Sequence, residues 1–157
     1  MPLLVKEVNC KGKFIYFIFA DNDGKEYYGL HSLMMTGRWQ KNYDEYAKWF
    51  VEVEDTGQTV WFRDPRSFAK IRFSSDKNVL DEKLKSLGMD IMTEEFKLNK
   101  FKNLVYSFPT RNICSFLMDQ SIISGCGNYI KAEVLYDSRI SPLRKMNELS
   151  ENDIELI

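Results

Sequence analysis

Residues 117–136 read LMDQSIISGCGNYIKAEVLY, and they are the most informative stretch in the second half of the chain. Two runs with helical spacing of apolar residues flank a turn that contains Gly125 and Gly127. Glycines let the backbone turn sharply and let a polyanion approach closely, and Asn128 begins the second run, where helix N–H groups and the helix dipole favour negative charge. The pattern is typical of a phosphate-binding turn. An ordinary helix hairpin with a glycine turn and an Asn cap fits the residues equally well.

The first half of the chain has the aromatic and β-branched residues that are typical of strands. The Asp23-Gly24 step and the Gly57 turn each separate two such runs, and both patterns predict a β-hairpin. The predicted strands are residues 13–19, 25–30, 49–53, 59–63 and 69–73.

After Ser74 the apolar spacing becomes helical. Gly88 is placed to end the first helix, and Ser150 with Asp153 resembles a capping box at the start of the last one. That last helix is shorter than the usual three turns, so we expect it to be cut short. The predicted helices are residues 76–87, a helix beginning at residues 93–96, and residues 111–119, 129–136 and 150–157.

The composition excludes several classes of protein. Of 157 residues, 44% are hydrophobic and 29% charged, which is typical of a globular protein with a sizeable core and excludes disorder. The net charge is −1, so any nucleic-acid site must be a local patch. Three cysteines at wide spacings and one histidine make a zinc site improbable and predict reduced, buried thiols. With no apolar run near the ~20 residues that span a bilayer and no secretory leader, we expect an intracellular protein without a membrane partner.

The stretch 117–136, with ISPL at 140–143, resembles the helix-two-turn-helix signature of the formamidopyrimidine-DNA glycosylase and endonuclease VIII family. Further motifs that are similar to those of the family occur in the family's order along nearly the whole chain. They are KGKF at 11–14, LMMTGRW at 33–39, DPRSF at 64–68 and LGMD at 87–90.

The resemblance implies an α+β chain, with a partial N-terminal β-sandwich followed by an incomplete α-helical helix-two-turn-helix domain. The implied bounds are residues 1–75 for the sandwich, 76–100 for an inter-domain segment and 101–157 for the helical domain. It also implies base excision repair by a DNA glycosylase and abasic-site lyase that recognises oxidised bases in duplex DNA. The implied partner is double-stranded DNA with oxidised or abasic lesions, and the implied location is a DNA-containing compartment.

The resemblance assigns roles residue by residue. Met35, Arg66 and Phe68 would fill the void left by a flipped-out base. The residues alone favour a Met and a Phe in the core and an Arg66–Asp64 pair. The turn residues Gly125, Gly127 and Asn128 would contact DNA phosphate. Lys13 would be a phosphate-facing cation and a helper in elimination, or else a solvated lysine at a strand edge. Glu133 would support the active site, or else pair with Lys131 or Arg139.

The chain also departs from the family. The family's nucleophile is an N-terminal proline followed by glutamate, whereas Pro2 is followed by Leu3 and lies much nearer to Lys13 than in the family. We therefore expect the 157-residue chain alone to be inactive, and whether it is an enzyme stays open. The cysteine cluster of the zinc finger found in many relatives has no counterpart, so no metal and no small-molecule cofactor is expected. Ser67 and Cys114 replace basic residues of many relatives, which weakens the expected DNA affinity. The alternatives are a non-catalytic remnant that binds damaged DNA and, least favoured, a remnant with no DNA role.

Overall fold

The computed structural model describes residues 3–157, which form two compact units divided between Leu80 and Asp81. The N-terminal unit contains seven strands within the described residues, and the two predicted hairpins account for four of them. The bounds are β1 Leu4–Lys11, β2 Phe14–Ala20, β3 Glu26–Ser32, β4 Arg38–Gln40, β5 Ala47–Val53, β6 Gln58–Arg63 and β7 Lys70–Ser74. Helix α1 (Lys77–Lys85) follows and crosses the division between the units.

The strands form two antiparallel sheets, which confirms the predicted sandwich. One sheet has the order β1-β2-β3-β7 and the other β4-β6-β5. Both predicted hairpins are present, as β2–β3 and β5–β6. Strands β1 and β4 were not predicted from periodicity, and β1 pairs with β2 through a two-residue turn and a bulge between Val5 and Glu7.

An aromatic core fills the N-terminal unit, and its centre is a histidine. His31 is 0% exposed and packs edge-on against Phe62, Trp49 and Trp39. Its Nδ1 lies 3.1 Å from the carbonyl oxygen of Lys70, and a carbonyl only accepts, so Nδ1 carries the proton. Within the described residues, neither His31 Nε2 nor the Trp49 indole N–H has a hydrogen-bond partner.

The side of the sandwich next to β1 is open. A cleft of about 900 Å³ there is lined mainly by apolar side chains, including Val5, Val8, Phe19 and Val51. Strand β1 is the sheet's edge, and nearly all of its residues are exposed.

The C-terminal unit is mainly helical. Its elements are β8 Met89–Asp90, α2 Leu98–Ser107, α3 Ile113–Met118, β9 Ile123–Ser124, α4 Asn128–Asp137, a 3-10 helix at Met146–Glu148 and α5 Glu151–Leu156. Twelve buried residues form one core, with Ile113, Phe116 and Val105 among the least exposed. The capping box at α5 is confirmed, because Ser150 Oγ accepts from Asp153 N–H and the Asp153 carboxylate accepts from Ser150 N–H.

Two local predictions were wrong. Residues 93–96 form turns rather than a helix start, because Thr93 donates to the carbonyl of Asp90 and the helix begins only at Leu98. Gly88 does not end α1, which stops at Lys85. A Cβ at Gly88 would lie 2.1 Å from the carbonyl oxygen of Ile122, so glycine is needed where these two backbones touch. Within residues 3–157, none of the helices has the length and hydropathy that spanning a bilayer requires.

The His31 environment predicts an acid-sensitive N-terminal unit. Burial lowers the pKa of His31, although the Lys70 carbonyl opposes this shift. Above about pH 6.5 histidine is neutral in both the folded and the unfolded chain. As the pH falls below that value, only the unfolded chain takes up the proton. The free energy of unfolding then decreases by at most ~1.4 kcal/mol per pH unit until the lowered pKa is reached.

Urea unfolding followed by tryptophan fluorescence measures this, since Trp39, Trp49 and Trp61 all lie in the N-terminal unit. The control is His31→Gln, which keeps a donor for the Lys70 carbonyl but does not titrate. Its stability should change less between pH 7.5 and 5.5, and equal slopes for the two proteins would contradict the prediction.

Candidate functional site

Three strand ends of the N-terminal unit are level with one another. Phe14, the first residue of β2, pairs with Ser32, the last of β3, and Ser32 pairs with Lys70, the first of β7. The segments beyond these ends therefore meet at one end of the unit. They are the β1–β2 turn with Lys13, the loop at residues 33–37, and the loop at residues 64–69.

The loop at 33–37 displays Met35 to solvent. Met35 is 78% exposed, so its placement in the core is excluded. The loop closes through a hydrogen bond from Gly37 N–H to the carbonyl of Leu33, 3.0 Å away. A Cβ at Gly37 would lie 2.4 Å from that carbonyl oxygen, so this closure requires glycine.

The loop at 64–69 displays Arg66 and Phe68. Phe68 is 46% exposed, and the Arg66 guanidinium stacks over its ring at 4.5 Å. The carboxylate of Asp64 does not pair with Arg66 but accepts hydrogen bonds from Thr36 and Ala69. Arg66 and Phe68 therefore form a flat, exposed cationic and aromatic pair next to the thioether loop.

Asp64 is a buried residue of this site that the motifs did not single out. It is 1% exposed; one carboxylate oxygen accepts from Thr36 Oγ1 at 2.7 Å and the other from Ala69 N–H at 2.8 Å. Burial alone would raise the pKa of Asp64. The hydrogen bonds from Ala69, Thr36 and the N–H groups of Arg66 and Phe68 nevertheless hold that pKa below its usual value. Asp64 is therefore ionised at neutral pH. It is the first residue of the DPRSF motif, but the resemblance gave it no role of its own.

Lys13 is exposed in the two-residue turn between β1 and β2, directly after Gly12, whose φ is 56°. The pairing of Phe14 with Ser32 sets this turn beside the start of the Met35 loop. The strands thus bring Lys13 to the same end of the unit as Met35, Arg66 and Phe68.

The C-terminal unit presents a helix N-terminus with a cation beside it. Asn128 is the exposed first residue of α4, with Gly127 at the N-cap. The first bond of the helix runs from Lys131 N–H to the Gly127 carbonyl, so the N–H groups of residues 128–130 have no acceptor within residues 3–157. Lys131 Nζ donates to Asn128 Oδ1 at 2.7 Å. This arrangement favours an anion, and Lys131 is a member that the motifs missed.

The turn before α4 is held by one side chain. Gln120 Oε1 accepts from Gly125 N–H at 3.0 Å, while Gln120 Nε2 donates to the carbonyls of Cys126 and Met118 at 2.7 and 3.2 Å. Gly125 has φ 100°, a region that disfavours any side chain, and its N–H is used inside the turn. Gly125 therefore shapes the turn, and its N–H is not available to a ligand.

Glu133 and Cys114 lie away from the helix N-terminus. Glu133 is exposed on α4, and within residues 3–157 neither Lys131, which bonds to Asn128, nor Arg139 forms an ion pair with it. The Cys114 thiol points at the carbonyl of Pro142, 3.4 Å away. Lys131 and Arg139 line the same depression as Cys114, so cations lie near the position where Cys114 replaces a basic residue of many relatives.

The residues present do not fit a zinc site. In the described part of the chain no three His, Cys, Asp or Glu side chains are grouped to hold a metal. None of the three cysteines forms a disulfide within residues 3–157; Cys126 is buried as predicted, whereas Cys10 is exposed and Cys114 half-buried. The single histidine is enclosed by aromatic rings.

The Gln120 contacts predict that the turn needs both the acceptor and the donor of an amide. Gln120→Ala removes both, and Gln120→Glu sets a carboxylate oxygen against two carbonyls. We expect each variant to lower the free energy of unfolding of the C-terminal unit by ~1–3 kcal/mol. Thermal unfolding followed by circular dichroism at 222 nm measures this, with the exposed Asn147→Ala as control. Full stability of Gln120→Glu would show that the donor half is dispensable.

The sequence and the fold were compared with those of known proteins. A sequence model of the formamidopyrimidine-DNA glycosylase H2TH domain matches residues 87–157. A formamidopyrimidine-DNA glycosylase of Arabidopsis thaliana is 35% identical over 113 residues, which cover 72% of this chain and 28% of that protein. Relatedness therefore extends beyond the matched helical domain.

Two solved structures share the fold. The MutM (Fpg) protein of Thermus thermophilus matches with a TM-score of 0.81 and 26% identity, over 98% of this chain and 56% of that one. The Lactococcus lactis formamidopyrimidine-DNA glycosylase, solved non-covalently bound to DNA with an abasic site, matches with a TM-score of 0.81 and 22% identity, over 99% and 60%. The chain spans no more than 60% of the length of any of these proteins. By domain, sequence and fold, it belongs to the formamidopyrimidine-DNA glycosylase and endonuclease VIII family.

Proposed function

We propose that the chain acts in base excision repair by binding duplex DNA at oxidised or abasic sites. The observation that carries the proposal is the set of side chains at one end of the N-terminal unit. Met35, Phe68 and Arg66 are all exposed there, although two of them are large and apolar. Exposed apolar groups beside a stacked cation suit insertion between bases, where each would be covered.

The chemistry of each inserted group supports this assignment. Met35 is flexible and polarisable, so it can fill the irregular space that a displaced base leaves. Phe68 offers a flat surface for stacking, and Arg66 offers planar donors to the unpaired base on the opposite strand. The Arg66–Phe68 stacking at 4.5 Å keeps both groups ready at the surface. Lys13, at the same end of the unit, would face the phosphates or the abasic sugar.

The helix-turn supplies the phosphate contact of the proposal. The unpaired N–H groups at the start of α4, with Asn128 and Lys131, would hold a backbone phosphate, and the Gly125–Gly127 turn would allow its close approach. One solved structure with the same fold supports this proposal, since the Lactococcus lactis enzyme was solved on DNA containing an abasic site.

We favour binding without cleavage for the 157-residue chain itself. The observation behind this second candidate is Leu3 directly after Pro2, where the family has glutamate. Met1 and Pro2 lie outside the described residues. A nucleophilic amine that attacks the sugar forms an iminium that borohydride reduces to a stable covalent adduct.

Borohydride trapping on abasic duplex DNA tests whether the chain only binds the DNA or also attacks it. We expect salt-dependent binding and no covalent adduct from the pure chain. A trapped complex on a denaturing gel would overturn the non-catalytic assignment while leaving the DNA-binding proposal intact. The positive control for trapping is a glycosylase and lyase of the same family.

Binding itself is tested with matched lysine variants on two duplexes, one undamaged and one containing a stable abasic analogue. Lys131→Ala should weaken binding to both duplexes. It should also reduce the slope of log K against log salt by about one, because one phosphate contact is lost. Lys100→Ala removes an exposed charge from α2 and should change neither quantity.

Met35→Ala should reduce affinity for the abasic duplex by ~10-fold and leave the affinity for the undamaged duplex unchanged.

Fluorescence anisotropy titrations at several salt concentrations give all of these values. Binding by the wild-type chain that is weak, independent of salt and equal for Lys131→Ala would refute the DNA-binding proposal.

A further inference from the structure

We propose that Asp64 is a positioning residue, which locks the Met35 loop and the Arg66–Phe68 loop into one arrangement that selects lesions. The inference rests on the proposed function, because it assigns a role within the same surface. Asp64 itself is 1% exposed, so it acts on DNA only through the loops that it joins.

The connection between the loops is direct. The two oxygens of one carboxylate bind different loops, Thr36 Oγ1 at 2.7 Å and Ala69 N–H at 2.8 Å. Pairing of Arg38 with Arg63 brings the ends of β4 and β6 together, which sets Asp64 next to Thr36. Backbone pairing thus brings the loops close, and the carboxylate fixes them.

Both loops contain a backbone conformation that needs such support. Met34 has φ 54° and Ser67 has φ 52°, and each directly precedes a displayed side chain, Met35 or Phe68. A residue other than glycine is disfavoured in this left-handed region, and such conformations persist where their surroundings over-determine them. The turn at 64–67 closes with a bond from Ser67 N–H to the Asp64 carbonyl, 3.2 Å away. Asp64 therefore holds one strained loop through both its main chain and its side chain, and the other through Thr36.

The charge of Asp64 makes this connection strong. A hydrogen bond to an ionised acceptor is stronger than a neutral one, and it gains further strength where water is excluded. Among the groups within residues 3–157 that bind this carboxylate, the hydroxyl of Thr36 is the one side-chain donor, and the others are backbone N–H groups. One hydroxyl therefore links the two loops, and it can be removed without changing the buried charge.

The test uses Thr36→Val and Thr36→Ser in the full chain. Valine has nearly the shape of threonine and lacks the hydroxyl, whereas serine keeps it. Asp64→Ala is unsuitable, since it strips several buried N–H groups of their acceptor and endangers folding. The matched control is Thr110→Val, an exposed threonine of the C-terminal unit.

Two quantities are measured for each variant. Amide hydrogen exchange is followed in peptides covering 33–38 and 64–70. The affinity for an abasic-analogue duplex is divided by the affinity for the undamaged duplex. In Thr36→Val we expect faster exchange in both peptides and a ~10-fold lower affinity ratio, about what one hydrogen bond to a charged acceptor provides. Thr36→Ser should return both quantities to within about twofold of wild type, and Thr110→Val should change neither.

The outcomes separate this inference from the function on which it rests. Unchanged exchange in Thr36→Val overturns the coupling of the loops. Faster exchange with an unchanged affinity ratio overturns the role in lesion selection, as does an equal loss of affinity for both duplexes, which would indicate a merely structural role. A wild-type ratio of one refutes the proposed function itself, whatever the exchange shows.

Discussion

The antiparallel register of β2, β3 and β7 is the constraint on which the N-terminal site depends. Because Phe14, Ser32 and Lys70 lie side by side, segments that are distant in sequence leave the sheet at one end. A slip of one residue in any of these pairings would turn every side chain of that strand to the opposite face. The aromatic core prevents such a slip, since Phe17 and His31 must point inward to meet Trp39 and Trp49. The position of the displayed loops is therefore a consequence of how the core packs.

The helix-turn has a different origin. Short-range hydrogen bonds of the Gln120 amide shape it, while Ile122 and Ile123 anchor it in the core of the C-terminal unit. The Asp119 carboxylate accepts hydrogen bonds from the hydroxyl and the N–H of Ser121. These bonds and, to a smaller extent, the Arg111 guanidinium hold the pKa of Asp119 below its usual value. Gln120 closes the far side of the turn. The residues that shape this anion site are thus separate from those that would touch the anion, and the two groups can vary independently.

Local patterns in the sequence carry a large part of this fold. The two hairpins, α1, α4 and the capping box at α5 follow from turn residues and periodicity, because each depends on neighbours along the chain. Strand β1 was missed, since its polar residues face solvent on both sides of an edge strand. The predicted helix start at residues 93–96 was wrong because the Thr93 hydroxyl donates to the carbonyl of Asp90, earlier in the chain.

The candidate site likewise combines residues that the sequence predicts with residues that only the structure reveals. Motif resemblance assigns DNA contacts to Met35, Arg66, Phe68 and Asn128, and this assignment stays a prediction. Exposure excludes Met35 and Phe68 from the core. The Asp64 carboxylate bonds to Thr36 and Ala69, so the alternative of an Arg66–Asp64 pair is wrong. Asp64 and Thr36 could not be found from spacing, because their contact joins loops 28 residues apart and only the β4–β6 pairing brings them together. The role of Gln120 likewise could not be predicted from the sequence, because it depends on which groups bond to its amide oxygen and nitrogen in the folded turn.

The exposed edge of β1 offers the folded protein a surface for pairing with another strand. Leu4, Val5 and Val8 line an edge that no other strand covers within residues 3–157, beside an open apolar cleft. Such an edge is a template for a strand from another molecule, and the bulge after Val5 with the charge of Lys6 interrupts that template midway. Association through this edge would start from the folded protein and would add a strand beside β1.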